Sequence, residues 1–157
     1  MNRQQVEQRT YDLFQGGLIC SESVLTAVLE ASGIPTDAYA PRIATAFGGG
    51  VGRSREEMCG ALAGGLMALG MVQGKAKPGD SWDAVAATAA EYRERVRALT
   101  GHTSCKEVLE ALGPQENMEK CKRFTASVAG IMHELLEAPE QAGQAKTCGC
   151  CAATPGR

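Results

Sequence analysis

The run CGALAGGLMALGMV, residues 59–72, constrains this chain more than any other stretch. It reads as a helix, yet Gly60, Gly64, Gly65 and Gly70 each give up as much as about 1 kcal/mol of helix propensity. A helix that keeps so many glycines has something close against its backbone: first another helix, second a cofactor. Ser54 and Glu57 form the S-x-x-E pattern of a capping box, which places the helix start at Arg55 and its end near Val72. Cys59 then lies about one turn inside, near the positive end of the helix dipole.

The rest of the chain reads as helix too. Residues 3–15 are moderately amphipathic through Val6, Tyr11, Leu13 and Phe14. From Cys20 to Ala31, Val24, Leu25, Val28 and Leu29 make a clear helical stripe, ended by Gly33 and Pro35. A shorter helix is expected over about 36–47, with Pro41 near a kink, followed by a loop at FGGGVGRS. Asp80 or Ser81 caps a helix from Trp82 to about Leu99, with its charges facing solvent. Thr103 or Ser104 caps another through Leu112. Pro114 stands in the first turn of a last helix that reaches about Glu137. The expected fold is therefore all-α, a compact bundle of six or seven helices over 1–137. Residues 138–157, small and polar without an apolar period, read as a flexible tail.

Among the packing residues, Phe47 and Trp82 are expected to anchor the core, since aromatics are only 4% of the chain. The Met67, Leu69 and Met71 stretch should be core as well. His133 reads as exposed on the last helix. His102, three residues before Cys105, reads as a capping or solvent-facing loop residue before it reads as a ligand.

A net charge of −2 over 157 residues gives no reason to expect nucleic acid or a membrane surface as partner. The polar start MNRQQVEQRTYDLF lacks the apolar core of a secretory signal. No window approaches the roughly 18 uninterrupted apolar residues of a membrane span. A cytoplasmic protein is the expectation. Its seven cysteines are then not a disulfide framework, because cytosolic thiols are kept reduced. Clustered thiols in that compartment point to metal, cluster or redox chemistry.

Cys20, Cys59 and Cys105 fall near expected helix starts, and Cys121 about two turns into the last helix. Free N–H groups at a helix start stabilise a thiolate, the form that binds soft metals or attacks disulfides. Cys148, Cys150 and Cys151 crowd the tail. Cys148 and Cys151 have C-x-x-C spacing without the strand–helix setting of a thioredoxin fold, and read as accessory redox or metal thiols. FGGGVGR lacks the spacing of a P-loop and follows no strand, so it is not a nucleotide loop.

LICSESVLTAV, FGGGVGRSREEMCGALAGGLMALGMVQG, SCKEVL and KCKRF, in that order, resemble the C_GCAxxG_C_C family of redox-active proteins. The likeness covers roughly residues 10–130 through Cys20, Cys59-Gly60-Ala61 with Gly64, then Cys105 and Cys121. It implies an all-helical domain whose four cysteines converge on one redox or metal site. A related domain accompanies haems in split-Soret-type cytochromes. This chain has Ala152 after Cys151 instead of a C-x-x-C-H site, so covalent haem is not expected. Four thiolates suit an iron–sulfur cluster, 2Fe–2S among its forms, used for electron transfer. Structural zinc is the alternative. A dithiol–disulfide pair, with Cys59 and Cys20 as its catalytic members, is the other. Gly49, Gly50, Gly60 and Gly64 are the expected cofactor-contacting glycines, their backbone N–H groups near sulfur. The redox partner is an unidentified protein, and an exposed helix face leaves room for a homodimer.

Overall fold

Every residue of the second helix from Cys20 to Leu29 is buried, and Val24, Leu25, Val28 and Leu29 are fully so. That helix is the hub of the computed structural model, which describes residues 1–36 and 39–138. Its described helices are α1 (Arg3–Gln15), α2 (Cys20–Ala31), α3 (Tyr39–Ala44), α4 (Gly60–Gln73), α5 (Asp83–Thr100), α6 (Cys105–Leu112) and α7 (Glu119–Glu137). A 3-10 turn, Thr45–Phe47, extends α3. Among the described residues there is no strand, only an isolated antiparallel bridge between Met58 and Ser104. The all-α reading holds. The tail thiols Cys148, Cys150 and Cys151 lie outside the described residues.

α2 packs against α1, α3, α4 and α7. An apolar stripe alone would bury one face; this helix is buried all round because α1, α3, α4 and α7 all pack against it. Ser21 Oγ donates to the Ala44 carbonyl at 2.8 Å. The buried Glu22 carboxylate accepts from the Ile19 N–H at 3.0 Å and the Thr45 hydroxyl at 2.6 Å. These bonds tie the start of α2 to the segment before the glycine loop. α1 runs antiparallel to α7, held by Arg3 to Glu134 at 2.8 Å and Tyr11 Oη to Glu119 at 2.7 Å.

α4 starts at Gly60, not Arg55, with Cys59 as its N-cap. Arg55 has φ 64°, a left-handed conformation that cannot open a right-handed helix. Residues 55–59 instead pair with the start of α6. The Cys59 N–H donates to Thr103 O at 2.8 Å, the Cys105 N–H to Glu57 O at 2.9 Å, and the Lys106 N–H to Arg55 O at 2.7 Å. Three backbone bonds outweigh one local capping box. Pro114 likewise precedes α7 rather than sitting in its first turn, because Asn117 and Met118 turn left-handed at φ 48° and 59°. Cys121 is therefore the third residue of α7, not two turns in.

The core aromatics are Tyr92, fully buried, and Phe124. Trp82 and Phe47 are 53% and 40% exposed, against expectation, since each stands at an element edge where the chain turns outward. Met71 is exposed near the end of α4, while Leu69 is core and Met67 packs against it. His133 is buried because α7 packs against α1, α2, α4, α5 and α6 and has little free face. His102 faces solvent and Glu107, its Nδ1 3.4 Å from the carboxylate, as the loop reading expects.

Candidate thiol site

Each of the four core cysteines stands at a helix start. Cys20 is the first residue of α2, Cys59 caps α4, Cys105 opens α6 and Cys121 lies in the first turn of α7. All four are free thiols; Cys20, Cys59 and Cys105 are buried and Cys121 is partly so. Each sulfur thus belongs to a residue in the first turn or cap of a helix, where free N–H groups and partial positive charge lie.

The sulfurs sense one another. Charge on Cys20 bears on Cys59, Cys105 and Cys121, and Cys121 also couples to Cys59 and Cys105. Cys59 and Cys105 are joined by backbone through the Met58–Ser104 bridge. Cys20 is the common neighbour. The thiols are not preset as a cage: among the described residues, no three His, Cys, Asp or Glu side chains are grouped as metal ligands.

Burial is the leading influence on all four pKa values, and it raises each of them. Cys59 is pushed up to about 12 by burial and then by Cys20, while the Leu62 and Ala61 N–H groups work the other way. Those N–H groups face the sulfur without completing a capping hydrogen bond. Cys121 is also pushed up to about 12, by burial and then Cys20, against the Thr125 hydroxyl. Cys20 is raised by burial, with the Gly49 and Ser21 N–H groups opposing. Cys105 is raised by burial and Cys20, with Arg55 opposing. Desolvation of a charge outweighs helix-end dipoles here. The metal-free chain therefore holds protonated thiols at neutral pH and offers no ready thiolate nucleophile.

The expected glycines have distinct roles. A Cβ at Gly60 would lie 2.5 Å from Cys20 Sγ and 2.9 Å from the Phe47 carbonyl oxygen. One at Gly50 would lie 2.6 Å from the Cys105 Cβ. Gly49 points its N–H at the Cys20 sulfur. Gly64 touches no thiol; it lets the Ser21 carbonyl of α2 press against α4. The loop reading of FGGGVGRS is correct, and its backbone is unusual. Gly49, Gly50, Val51, Gly52 and Arg53 are all left-handed, φ 60° to 69°. The glycines adopt this freely, whereas Val51 and Arg53 are strained. Such strain persists only where the surroundings hold it; here the Val51 N–H donates to Phe47 O at 3.4 Å, the Gly52 N–H to Ala46 O at 2.9 Å and the Arg53 N–H to Gly48 O at 3.2 Å.

The family model described as "Putative redox-active protein (C_GCAxxG_C_C)" matches residues 18–135. The chain belongs to this family. The match spans all four helix-start cysteines and leaves out the whole of α1 and the residues after Leu135. No curated protein and no solved structure matches the chain. Among the described residues, no helix is long and apolar enough to cross a membrane.

Glu22, Gln115, Tyr92 and Thr125 escaped sequence reasoning. Gln115 Oε1 accepts the Cys121 N–H at 3.1 Å and so holds the start of α7. Glu22 at the third helical position is a capping signature legible in ICSE, and Thr125 stands one turn beyond Cys121. Tyr92 carries no local signal.

Proposed function

We propose that this domain is an electron-transfer protein in which Cys20, Cys59, Cys105 and Cys121 hold an iron–sulfur cluster. The observation that supports the reading is that four free thiols of a redox-family chain each stand at a helix start, with Cys20 bearing on the other three. The donor chemistry fits: four soft sulfurs, with the nearby Glu22 carboxylate already committed to Ile19 and Thr45. When bound, the cluster would supply reversible one-electron exchange, 2Fe–2S being a form that four cysteines can hold.

The chain's own residues do the rest. Gly49 and the first N–H groups of α4 direct donors at sulfur and moderate its charge. Burial excludes water from Cys20 and Cys59. The bare Gly60 surface lets Cys20 approach α4 closely. The exposed Phe47 and Val51 side chains, which flank the covered glycines beside the site, mark where a redox partner would come nearest.

Anaerobic purification followed by iron, sulfide, zinc and thiol analysis tests the reading. Brown protein with stoichiometric iron and sulfide supports it. One zinc per chain without colour would replace it with a structural zinc site. Colourless, metal-free protein that loses two titratable thiols on mild oxidation would replace it with a dithiol oxidoreductase.

A further inference from the structure

The exposed apolar side chains Tyr39, Ile43, Phe47 and Val51 recur every fourth residue along α3, the 3-10 turn and the start of the glycine loop. Single exposed apolar side chains are ordinary on a protein surface, but a succession of them beside a site marks a contact face. Of the three phenylalanines, Phe14 and Phe124 pack in or against the core, whereas Phe47 stays 40% exposed.

Charge gathers at the same place. Arg3, Arg9, Arg93, Arg95, Arg97 and Arg123 each pair with a glutamate. Arg42, Arg53 and Arg55 are exposed and, among the described residues, pair with no carboxylate. The adjoining Glu56 and Glu57 line a separate groove, between α4 and α5. A chain of net charge −2 thus leaves three arginines unpaired around one apolar strip.

Backbone bonds hold the strip in place. The N–H groups of Val51, Gly52, Arg53, Ser54 and Arg55 all donate to backbone carbonyls, that of Arg55 to Gly49 O at 2.9 Å. Val51, Arg53 and Arg55 are left-handed at φ 61°, 65° and 64°, so the strained residues are ones presented to solvent. A face fixed beforehand has little ordering left to lose on binding. The inner side of the same loop backs the thiols. The Phe47 carbonyl and Cys20 Sγ both crowd Gly60, and Gly50 abuts the Cys105 Cβ and the Arg55 backbone.

We infer that this face, Ile43, Phe47 and Val51 with Arg42, Arg53 and Arg55, is the docking surface for a protein whose own contact surface is rich in carboxylates. The inference rests on the reading that the domain passes electrons to another protein, and it names the chemistry of that partner. Carboxylates opposite the arginines steer the encounter, and the apolar strip excludes water once contact is made. A small contact of this kind suits a carrier that lets go after each exchange.

The test uses the full chain as purified, with iron and sulfide assayed on the same sample. The probe is a strongly acidic ferredoxin, with a basic cytochrome c as the opposite-charge control, each titrated calorimetrically. The acidic probe should bind, and should bind about 10-fold more weakly as ionic strength rises from about 0.01 to about 0.15 M. Arg53→Asn combined with Arg55→Asn removes two charges where asparagine accepts the left-handed backbone, and should weaken binding about 10-fold. Phe47→Ser should weaken it by about as much. Arg42→Gln, on α3, is the charge variant that decides should the loop variant fail to fold. Lys75→Gln combined with Lys77→Gln makes the same charge change beyond the far end of α4 and should bind like the parent. No binding of the acidic probe, equal affinity in every variant, or preference for cytochrome c would each overturn the inference. A dimeric chain made monomeric by Phe47→Ser would overturn it too, assigning the strip to a second copy. A sample without iron and sulfide that still binds the acidic probe through these residues would overturn the cluster reading and leave the docking surface standing.

Discussion

The Cys20 sulfur occupies the space a side chain at Gly60 would need: a Cβ there would lie 2.5 Å from Sγ. α2 and α4 thus meet at the sulfur of one and the bare backbone of the other. Gly60→Ala must push either the thiol or the Phe47 carbonyl aside. Such overpacking costs about 1–3 kcal/mol. The metal-free variant should unfold at lower temperature and bind less metal than the parent. Gly70→Ala is the matched control, because nothing lies within 4 Å of its added Cβ. There the helix-propensity gain of roughly 0.5–1 kcal/mol should appear as added thermal stability.

Val51, half exposed, holds a left-handed conformation at φ 61°. That costs a β-branched residue roughly 1–2 kcal/mol, partly offset in Val51→Gly by a glycine entropy cost of about 0.5–1 kcal/mol. Val51→Gly should therefore raise the melting temperature by about 1–4 °C. A fall would show that the Val51 side chain contributes packing beyond its strain.

The raised thiol pKa values set a pH dependence in the metal-free chain. A folded pKa above the unfolded one means that the folded state keeps protons which the unfolded state releases. The associated stability is whole below pH 9, the ordinary thiol value, and is lost as pH rises toward the folded values near 12 of Cys59 and Cys121. Each unit of difference is worth about 1.4 kcal/mol per group. Reduced, metal-free protein should melt at distinctly lower temperature at pH 10.5 than at pH 8. Equal melting temperatures would show that the sulfurs are less desolvated than the fold implies.

Metal binding should reverse that trend. A ligand that binds only the folded chain adds about 2.7 kcal/mol at a concentration 100 times its dissociation constant. Bound metal should raise the melting temperature, and should do so less at low pH, where protons compete for the sulfurs. Cys20→Ser should lose this increment, because Cys20 neighbours all three other sulfurs. A Cys20→Ser chain with full metal content would remove Cys20 from the ligand set.

Much of this was legible in the sequence, and the reason is distance along the chain. The Val24–Leu29 stripe, the end of α2 near Gly33 and the loop at FGGG depend on residues a few positions apart. So does the order of cysteines that marks the family, and each was read correctly. Ser54 and Glu57 show where local reading stops. Their capping pattern was real, yet backbone bonds from residues 103, 105 and 106 captured the segment and moved the helix start to Gly60. That shift brought Cys59 from inside a helix to its cap. Tertiary structure alone set His133 in the core, left Trp82 outside it and brought the Tyr92 phenol over Gly65. Periodicity says which residues can be buried. Which buried residues meet depends on how separate helices pack, and that packing sets the Cys20 sulfur against the bare backbone of Gly60.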